Sequence, residues 1–257
     1  GLGPIGNGGG RGFFVHSGLM LDAATGRIDG MAGQEIFYRS ATPKEKKAKN
    51  TRRRSPDRES AVWGRLFDRI GSPLPGVTWI HVCDRGADDY EVFLRAKHHH
   101  CGFVIRAAKL NRIVQTLGGH RMPLAAFLDQ LPAHGERTIN VKATPKQPPR
   151  TARVALRFGE LAMPRPTVIT PWIRQQQLEE PLRLGIVELR EMAPPKGCQA
   201  VRWVLYTTEP ANQTAAADRI IRFYEQRPTI EDYHKCYKTG CRVEARQYET
   251  APRLERV

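Results

Sequence analysis

Residues 77–108 carry three patterns in succession, and their order constrains the fold more than any other stretch of the chain. The run VTWIHVCD at 77–84 is β-branched, aromatic and apolar on both faces, as in a central strand buried between helices. The run ADDYEVFLRAK at 87–97 places apolar residues at helical spacing. The run GFVIRAA at 102–108 returns to strand. A strand, a helix and a strand in this order predict an α/β fold.

The residues before this stretch predict a hairpin, a loop and a short helix. Residues 12–39 hold two apolar runs joined by the small-residue turn Ala-Thr-Gly at 24–26, which is typical of an antiparallel β-hairpin. Residues 42–60 carry eight basic and three acidic residues without an apolar face, so we expect a mobile basic loop. Residues 60–70 place Val, Trp, Leu and Ile at helical intervals before the breaker GSPLPG, which predicts a helix.

The second half of the chain has a β-rich part followed by a return to the α/β pattern. Between residues 111 and 199 prolines alternate with strand-like runs, among them TINVKAT, TARVALRF and RLGIVELR, which predicts a β-rich insertion. Residues 201–208 predict a core strand and residues 214–226 a helix. We therefore predict three segments: a first part of the core at 1–110, the insertion at 111–199 and a second part of the core at 200–257.

The balance of charge favours a polyanionic partner. Forty-one Lys and Arg against twenty-six Asp and Glu leave a net charge of +15. This charge favours nucleic acid as the partner first and an acidic membrane surface second.

The sequence contains no run of about eighteen apolar residues and no signal peptide, so we expect a soluble, cytoplasmic protein that does not enter a membrane. Five cysteines without a C-x-x-C pair and the histidines at 98–100 indicate neither a disulfide framework nor a metal site.

The stretch YEQRPTIEDYHKCYK at 224–238 gathers charged and aromatic residues around a predicted helix. Pro228 favours a helix that begins near it, because proline presets φ for the first turn. In such a helix Glu231, Lys235 and Lys238 fall at i, i+4 and i+7 on one stripe. A second, apolar stripe holds Ile230, Tyr233 and Tyr237. The sequence therefore places one carboxylate between two cations.

Glu231 and Asp84 each have two interpretations. Glu231 can form an i,i+4 ion pair with Lys235, worth roughly 0.2–0.5 kcal/mol. Asp84 directly follows a predicted buried strand, at the position where open α/β sheets present ligands, but it can also cap the next helix. The second interpretation joins both acids in one site, where they hold Mg²⁺ or Mn²⁺ and so activate a water or 3′-hydroxyl for attack on a phosphodiester. Arg227, Lys235 and Lys238 would then grip phosphate oxygens.

Two motifs resemble those of a known family. CDRGADDY at 83–90, together with Tyr224, Arg227, Glu231 and Lys238 separated by two, three and six residues, is similar to the bacterial DDE transposases of the insertion sequence four family. The runs GLGPIGNGGGRGFFVHS at the start and YKTGCRVEARQYETAPRLERV at the end continue the likeness. The resemblance covers nearly the whole chain and is weakest through the β-rich insertion.

The resemblance implies a fold and a set of roles. The fold would be α/β and ribonuclease-H-like, a mixed sheet flanked by helices, with the β-rich insertion before the helix that carries the third acid. Asp84 would be the second metal-binding Asp and Glu231 the third acid, both binding Mg²⁺ or Mn²⁺. Tyr224, Arg227 and Lys238 would contact DNA phosphates. The complete protein would be a bacterial, nucleoid-associated transposase that acts as a homodimer on transposon ends and target DNA.

Trp203 and the chain ends carry further expectations. By resemblance Trp203 stacks on a flipped DNA base, whereas its place on one strand face with Val201 and Leu205 favours a core residue. The chain starts without methionine and stops within a helical pattern, so we expect a fragment whose first catalytic Asp lies upstream of residue 1. Such a fragment should bind DNA with strong salt dependence but cut little.

Two other functions are compatible with the same residues. One is a non-catalytic DNA-binding remnant that competes with an intact transposase, and its effect would survive an Asp84→Ala change. The other is a metal-dependent nuclease or resolvase on a ribonuclease-H-like fold, which would cut according to DNA structure and not according to the sequence of an element end.

Overall fold

A computed structural model describes residues 2–5, 9–39, 55, 58–141, 148–176, 181–245 and 250–255. The predicted basic loop at 42–60 lies largely outside these residues. The strands are β1 (Gly3–Ile5), β2 (Gly10–Gly12), β3 (Phe14–Leu21), β4 (Ile28–Phe37), β5 (Ile80–Cys83), β6 (Gly102–Arg106), β7 (Ile113–Gln115), β8 (Arg121–Pro123), β9 (Ala133–Val141), β10 (Arg150–Met163), β11 (Leu182–Glu191) and β12 (Arg202–Thr207).

Seven α-helices accompany the strands. They are α1 (Val62–Ile70), α2 (Tyr90–His98), α3 (Leu124–Gln130), α4 (Pro171–Gln175), α5 (Thr214–Glu225), α6 (Thr229–Lys235) and α7 (Ala251–Leu254), counted over the described residues. A π-helical turn, Cys236–Gly240, follows α6. None of the helices in the described ranges is both long and apolar enough to cross a membrane.

The chain divides into two compact units. Unit 1 comprises Gly1–Ser72, Val168–Gln176 and Glu225–Val257, and unit 2 comprises Pro73–Thr167 and Gln177–Tyr224. Unit 1 contains the hairpin of β3 and β4, and unit 2 contains an eight-stranded sheet. The predicted division into segments 1–110, 111–199 and 200–257 stays a prediction.

The hairpin of unit 1 is confirmed. Strands β3 and β4 pair antiparallel from Phe14 opposite Phe37 to Leu21 opposite Ile28. Their turn is closed by the Gly26 N–H, which donates to the Asp22 carbonyl at 2.8 Å. Gly26 has φ +72°, a left-handed conformation that glycine adopts without steric cost. The predicted small-residue turn therefore works because its glycine lies where the backbone reverses.

Helix α1 packs on this hairpin and is fixed there by one carboxylate. Glu35 of β4 accepts hydrogen bonds from Arg65 at 2.9 Å and from Arg69 at 3.1 Å, one turn apart on α1. Helix α1 also approaches β4 closely at Gly33. A Cβ atom built on Gly33 would lie only 3.1 Å from the Ile70 side chain and 3.3 Å from the Leu66 side chain. Helix α1 was predicted from apolar spacing, and that prediction is confirmed.

The sheet of unit 2 is mixed. Its strand order is β5-β6-β12-β11-β10-β7-β8, and β9 pairs with β10. Strands β5 and β6 run parallel, while the other pairs are antiparallel. The α/β class is thus confirmed as an open mixed sheet flanked by helices. Strands β9, β10 and β11 confirm the strands predicted between residues 111 and 199, and they belong to the same sheet as β5, β6 and β12.

The prediction that residues 77–84 form a central strand is wrong. Strand β5 is shorter than predicted, and among the described residues it pairs with β6 alone, so it lies at one end of the strand order. Its residues are less buried than predicted: Cys83 is buried, while Ile80 and Val82 are partly buried. An apolar run fits an edge strand equally well when helices and side chains cover its faces, so composition alone did not locate it in the sheet.

Helices cover both faces of this sheet. On one face Val187, Leu189 and Leu205 form a core cluster with Ile220 of α5. On the other face the Phe93 ring of α2 stacks on Phe103 of β6, with ring centroids 5.1 Å apart. The two faces alternate along each strand because successive side chains point to opposite sides.

Candidate functional site

Asp84 lies immediately after β5, at the carboxyl end of the strand that runs parallel to β6. Its Oδ1 accepts a hydrogen bond from the Gly86 N–H at 2.7 Å and so caps the 3₁₀ turn Arg85–Ala87. Asp84 therefore caps this 3₁₀ turn, whereas the N-cap of the next α-helix, α2, is Asp89, whose side chain accepts from the Glu91 N–H. A capping carboxylate has its position fixed by the backbone, which is also what a preorganised metal ligand requires.

Asp88, which sequence reasoning left without a role, anchors the loop that follows Asp84. Its side chain is 0% exposed and forms an ion pair with Arg112, with Nη2 and Oδ1 2.6 Å apart. Its Oδ2 accepts from the Ala108 N–H at 2.7 Å. Burial raises the pKa of Asp88, and the positive charge of Arg112 opposes that rise. Asp88 thus ties the loop after β5 to the loop after β6, because its partners Ala108 and Arg112 both follow β6.

Glu231 lies in the first turn of α6. The N-cap of this helix is Pro228, which confirms the predicted start to within one residue. Glu231 forms a hydrogen-bonded ion pair with Arg227, and its own side chain is 61% exposed. The ion pair with Lys235, one of the two interpretations of Glu231, is therefore replaced by a pair with Arg227: among the described residues the partner lies four positions before Glu231. Both partners are one helical turn away, so spacing alone could not choose between them.

The two lysines that follow Glu231 are separated by a change in helix type. Lys235 ends α6, and Lys238 lies within the π-helical turn Cys236–Gly240. A π turn advances less per residue in angle than an α-helix, so the predicted i, i+4, i+7 stripe does not continue through it. Lys238 pairs instead with Glu244 at 2.8 Å.

The apolar stripe of this segment is partly retained. The rings of Tyr233 and Tyr237 stack with centroids 6.1 Å apart and 9° between their planes. Both side chains are half-buried. The stacked pair gives α6 and the π turn an apolar face, and Lys235 and Lys238 remain exposed.

Trp203 and Tyr224 contact one another inside unit 2. Their ring centroids are 5.2 Å apart at an angle of 68°, an edge-to-face arrangement. Tyr224 is 5% exposed and belongs to the core cluster, and Trp203 packs against that cluster with part of its ring exposed. The geometry favours the core interpretation of Trp203, and a DNA contact by Tyr224 stays a prediction.

Replacing Trp203 with leucine tests these two roles. If Trp203 is a core residue, we expect the free energy of unfolding to fall by about 1–3 kcal/mol, below the range for a fully buried aromatic residue, because the ring is only partly buried. DNA affinity should change no more than the folded fraction does. Urea denaturation and fluorescence anisotropy with duplex DNA measure the two effects. A loss of DNA affinity without a loss of stability would favour base stacking instead.

The candidate residues fall into two sets. Unit 1 contains Arg227, Glu231, Lys235 and Lys238, which lie on α6 or directly beside it. Unit 2 contains Asp84, Trp203 and Tyr224. Within the described ranges, no three His, Cys, Asp or Glu side chains form a group that could hold a metal ion. Asp84 and Glu231 supply carboxylate oxygens, which are the ligand type that Mg²⁺ takes in proteins.

Sequence reasoning missed a charged cluster on the sheet of unit 2. Glu188 on β11 is 0% exposed and accepts hydrogen bonds from Arg190 and from Arg202 of β12. The charged residues in the strand run LGIVELRE interrupt an otherwise apolar strand, and they were the sequence signal for this cluster.

No known protein-family model matches this sequence.

Proposed function

We propose that this chain is the catalytic part of a DDE-type DNA transposase with a ribonuclease-H-like fold. The observation that carries the proposal is Asp84, a carboxylate held at the carboxyl end of a parallel strand in an open mixed sheet. Open α/β sheets present their functional residues at that edge. The reaction class is the transfer of DNA phosphodiesters, first to water at the transposon ends and then to a 3′-hydroxyl.

Glu231 is the second acid of the proposed site. Arg227 lies four residues before Glu231, and its guanidinium is in hydrogen-bonding contact with the Glu231 carboxylate. Arg227 can hold Glu231 in one rotamer, and its planar guanidinium is of the kind that grips phosphate oxygens. Lys235 and Lys238 are exposed and add point charges for the DNA backbone.

The proposed cofactor is Mg²⁺ or Mn²⁺, bound by Asp84 and Glu231. When bound, such an ion lowers the pKa of a water or hydroxyl and stabilises the leaving oxygen of a phosphodiester. The protein itself contributes by fixing the orientation of the two carboxylates that would bind the ion. Asp84 is oriented by the Gly86 N–H, and Glu231 is oriented by Arg227.

The proposed partner is DNA, both transposon ends and target DNA. The net charge of +15 supports a polyanionic ligand, since Lys and Arg release counterions from the DNA backbone when they bind it. The protein is proposed to act on DNA as a homodimer.

A shared metal site can be tested by iron-mediated backbone cleavage. Fe²⁺ that replaces Mg²⁺ generates hydroxyl radicals with ascorbate and peroxide, and these cut the polypeptide close to the ion. We expect two cuts, one near Asp84 and one near Glu231, both suppressed by excess Mg²⁺. Peptide mass spectrometry locates the cuts, so the readout does not require catalytic activity.

Three variants control this experiment. Asp84→Asn and Glu231→Gln should each abolish both cuts, because each removes one ligand of the same ion. Asp232→Asn changes an exposed carboxylate next to Glu231 and should leave both cuts unchanged. Cleavage at one position alone, or equal cleavage in the Asp84→Asn variant, would show that the two acids do not share an ion and would contradict the proposed function.

A further inference from the structure

The charged cluster of unit 2 begins with two arginines placed directly opposite each other. Arg190 of β11 and Arg202 of β12 are register partners in the antiparallel pair. Like charges in directly opposite positions are destabilising in a sheet. Both side chains are 31% exposed. Two neighbouring guanidiniums on partly exposed side chains are an arrangement suited to an oxyanion.

Glu188 makes this arrangement stable and fixes its geometry. Its carboxylate accepts from the Arg190 Nε at 3.0 Å, from the Arg190 Nη2 at 3.1 Å and from the Arg202 Nε at 2.7 Å. A buried carboxylate with three donors holds both guanidinium planes. Because Glu188 is 0% exposed, it cannot itself meet a ligand from solvent.

A third arginine lies on the same face. Arg157 of β10 is the register partner of Glu188. Its Nη1 lies 3.3 Å from the Leu128 carbonyl and 3.4 Å from the Leu131 carbonyl, which are long hydrogen bonds. Its Nε is buried and has no hydrogen-bond acceptor among the described residues. Arg157 therefore adds a third guanidinium charge to this face, and its Nη1 is held there by long hydrogen bonds.

Asp129 of α3 shows where an anion binds in this cluster. Its carboxylate is 61% exposed and forms an ion pair with Arg190 at 2.8 Å. The hydrogen bond from Arg190 lowers the pKa of Asp129, and the charges of Arg190, Arg202 and Arg157 lower it further. An exposed ion pair of this kind is worth about 0–1 kcal/mol, so a phosphate can replace the carboxylate at little cost.

We propose that Arg157, Arg190 and Arg202 form a binding site for a backbone phosphate of DNA, and that Asp129 occupies this site in the absence of DNA. The inference rests on the proposed function in taking DNA as the ligand. It adds a DNA contact on the sheet of unit 2, whereas Arg227, Lys235 and Lys238 belong to unit 1.

Removing the competing carboxylate gives the first test. Asp129→Asn should raise the affinity for duplex DNA by about three- to tenfold, which corresponds to roughly 0.7–1.4 kcal/mol. Asp129 is exposed on α3, so the change should leave the fold intact. The matched control is Glu160→Gln, which removes one negative charge from an exposed position on the opposite face of β10. Fluorescence anisotropy with a labelled duplex measures both affinities.

Removing one guanidinium gives the second test. Arg190→Gln should make the slope of log affinity against log salt concentration shallower by about 0.9, the value for one lost phosphate contact. Glu188 keeps Arg202 as its partner in this variant. The control is Arg183→Gln on the opposite face of β11, where Arg183 is exposed, and its slope should match that of the unchanged protein.

The outcomes separate this inference from the proposed function. If Asp129→Asn behaves like Glu160→Gln, or Arg190→Gln like Arg183→Gln, the phosphate site is overturned while the iron-cleavage result for Asp84 and Glu231 still stands. If the unchanged protein shows no salt-dependent DNA binding, both are overturned. Should Arg190→Gln fail to fold, the comparison of Asp129→Asn with Glu160→Gln decides.

Discussion

Replacing Phe103 with alanine is expected to lower the free energy of unfolding by about 3–5 kcal/mol. Phe103 is fully buried on β6, and its ring stacks on Phe93 of α2 with centroids 5.1 Å apart. Phe93 in turn contacts the buried ring of Tyr206, at 5.6 Å. The change removes the apolar area of one ring and leaves a cavity among rigid neighbours. Urea denaturation followed by circular dichroism measures the loss.

Leu117→Ala is the control for Phe103→Ala. Leu117 belongs to unit 2 but is exposed, so its removal should change the free energy of unfolding by less than about 0.5 kcal/mol. Equal losses in the two variants would mean that the aromatic cluster of Phe93, Phe103 and Tyr206 is not the centre of the core on this face of the sheet.

Replacing Arg112 with methionine is expected to cost about 3–5 kcal/mol near neutral pH. Asp88 is fully buried, and the change leaves its charge without the guanidinium that lies 2.6 Å away. The Arg112 guanidinium carbon also lies 5.9 Å from the ring centroids of Phe93 and Tyr206, and methionine offers sulfur–aromatic contacts in place of these cation–π contacts. The larger part of the loss therefore comes from the uncompensated carboxylate.

The cost of Arg112→Met should depend on pH in a defined direction. Burial already raises the pKa of Asp88 above 3.8, and loss of Arg112 raises it further. The folded state then binds more protons than the unfolded state between the unfolded and the folded pKa, so stability falls as pH rises through that interval. The variant should be closest to the unchanged protein at acid pH and furthest from it at neutral pH.

A second substitution checks that Asp88 causes this dependence. The double variant Asp88→Asn with Arg112→Met keeps an oxygen for the Ala108 N–H and removes the buried charge. It should be more stable than Arg112→Met at neutral pH and lose the added pH dependence. Urea midpoints measured from pH 4 to 8 test both expectations. A penalty for Arg112→Met that stays constant over this range would contradict the ionic explanation.

Local elements of the fold were predictable from sequence because their signals are local. The hairpin was indicated by two apolar runs around a glycine turn, and Gly26 lies at that turn with positive φ. Helix α1 and helix α6 begin where apolar spacing and Pro228 indicated. The position of β5 at one end of the strand order was not predictable, since pairing depends on residues far away in the sequence.

In the candidate site, too, the local positions of residues were predictable and their side-chain partners were not. The motif spacing selected Asp84 and Glu231, and their positions after a strand and at a helix start are as predicted. The partner of Glu231 was misassigned, since Arg227 and Lys235 are equally distant along a helix and side-chain packing decides between them. The burial of Tyr224 against Trp203 could not be derived from spacing, because it depends on α5 packing against the sheet.

The sequence by itself determined the α/β class, the basic character and most helix and strand positions, because periodicity, turn residues and charge are properties of neighbouring residues. The tertiary structure alone decided which distant charges meet. Asp88 forms an ion pair with Arg112, which follows the next strand, and Glu188 of β11 forms an ion pair with Arg202 of β12. The physical reason is that burying a carboxylate is costly unless cations surround it, and only the folded chain brings those cations within hydrogen-bonding distance.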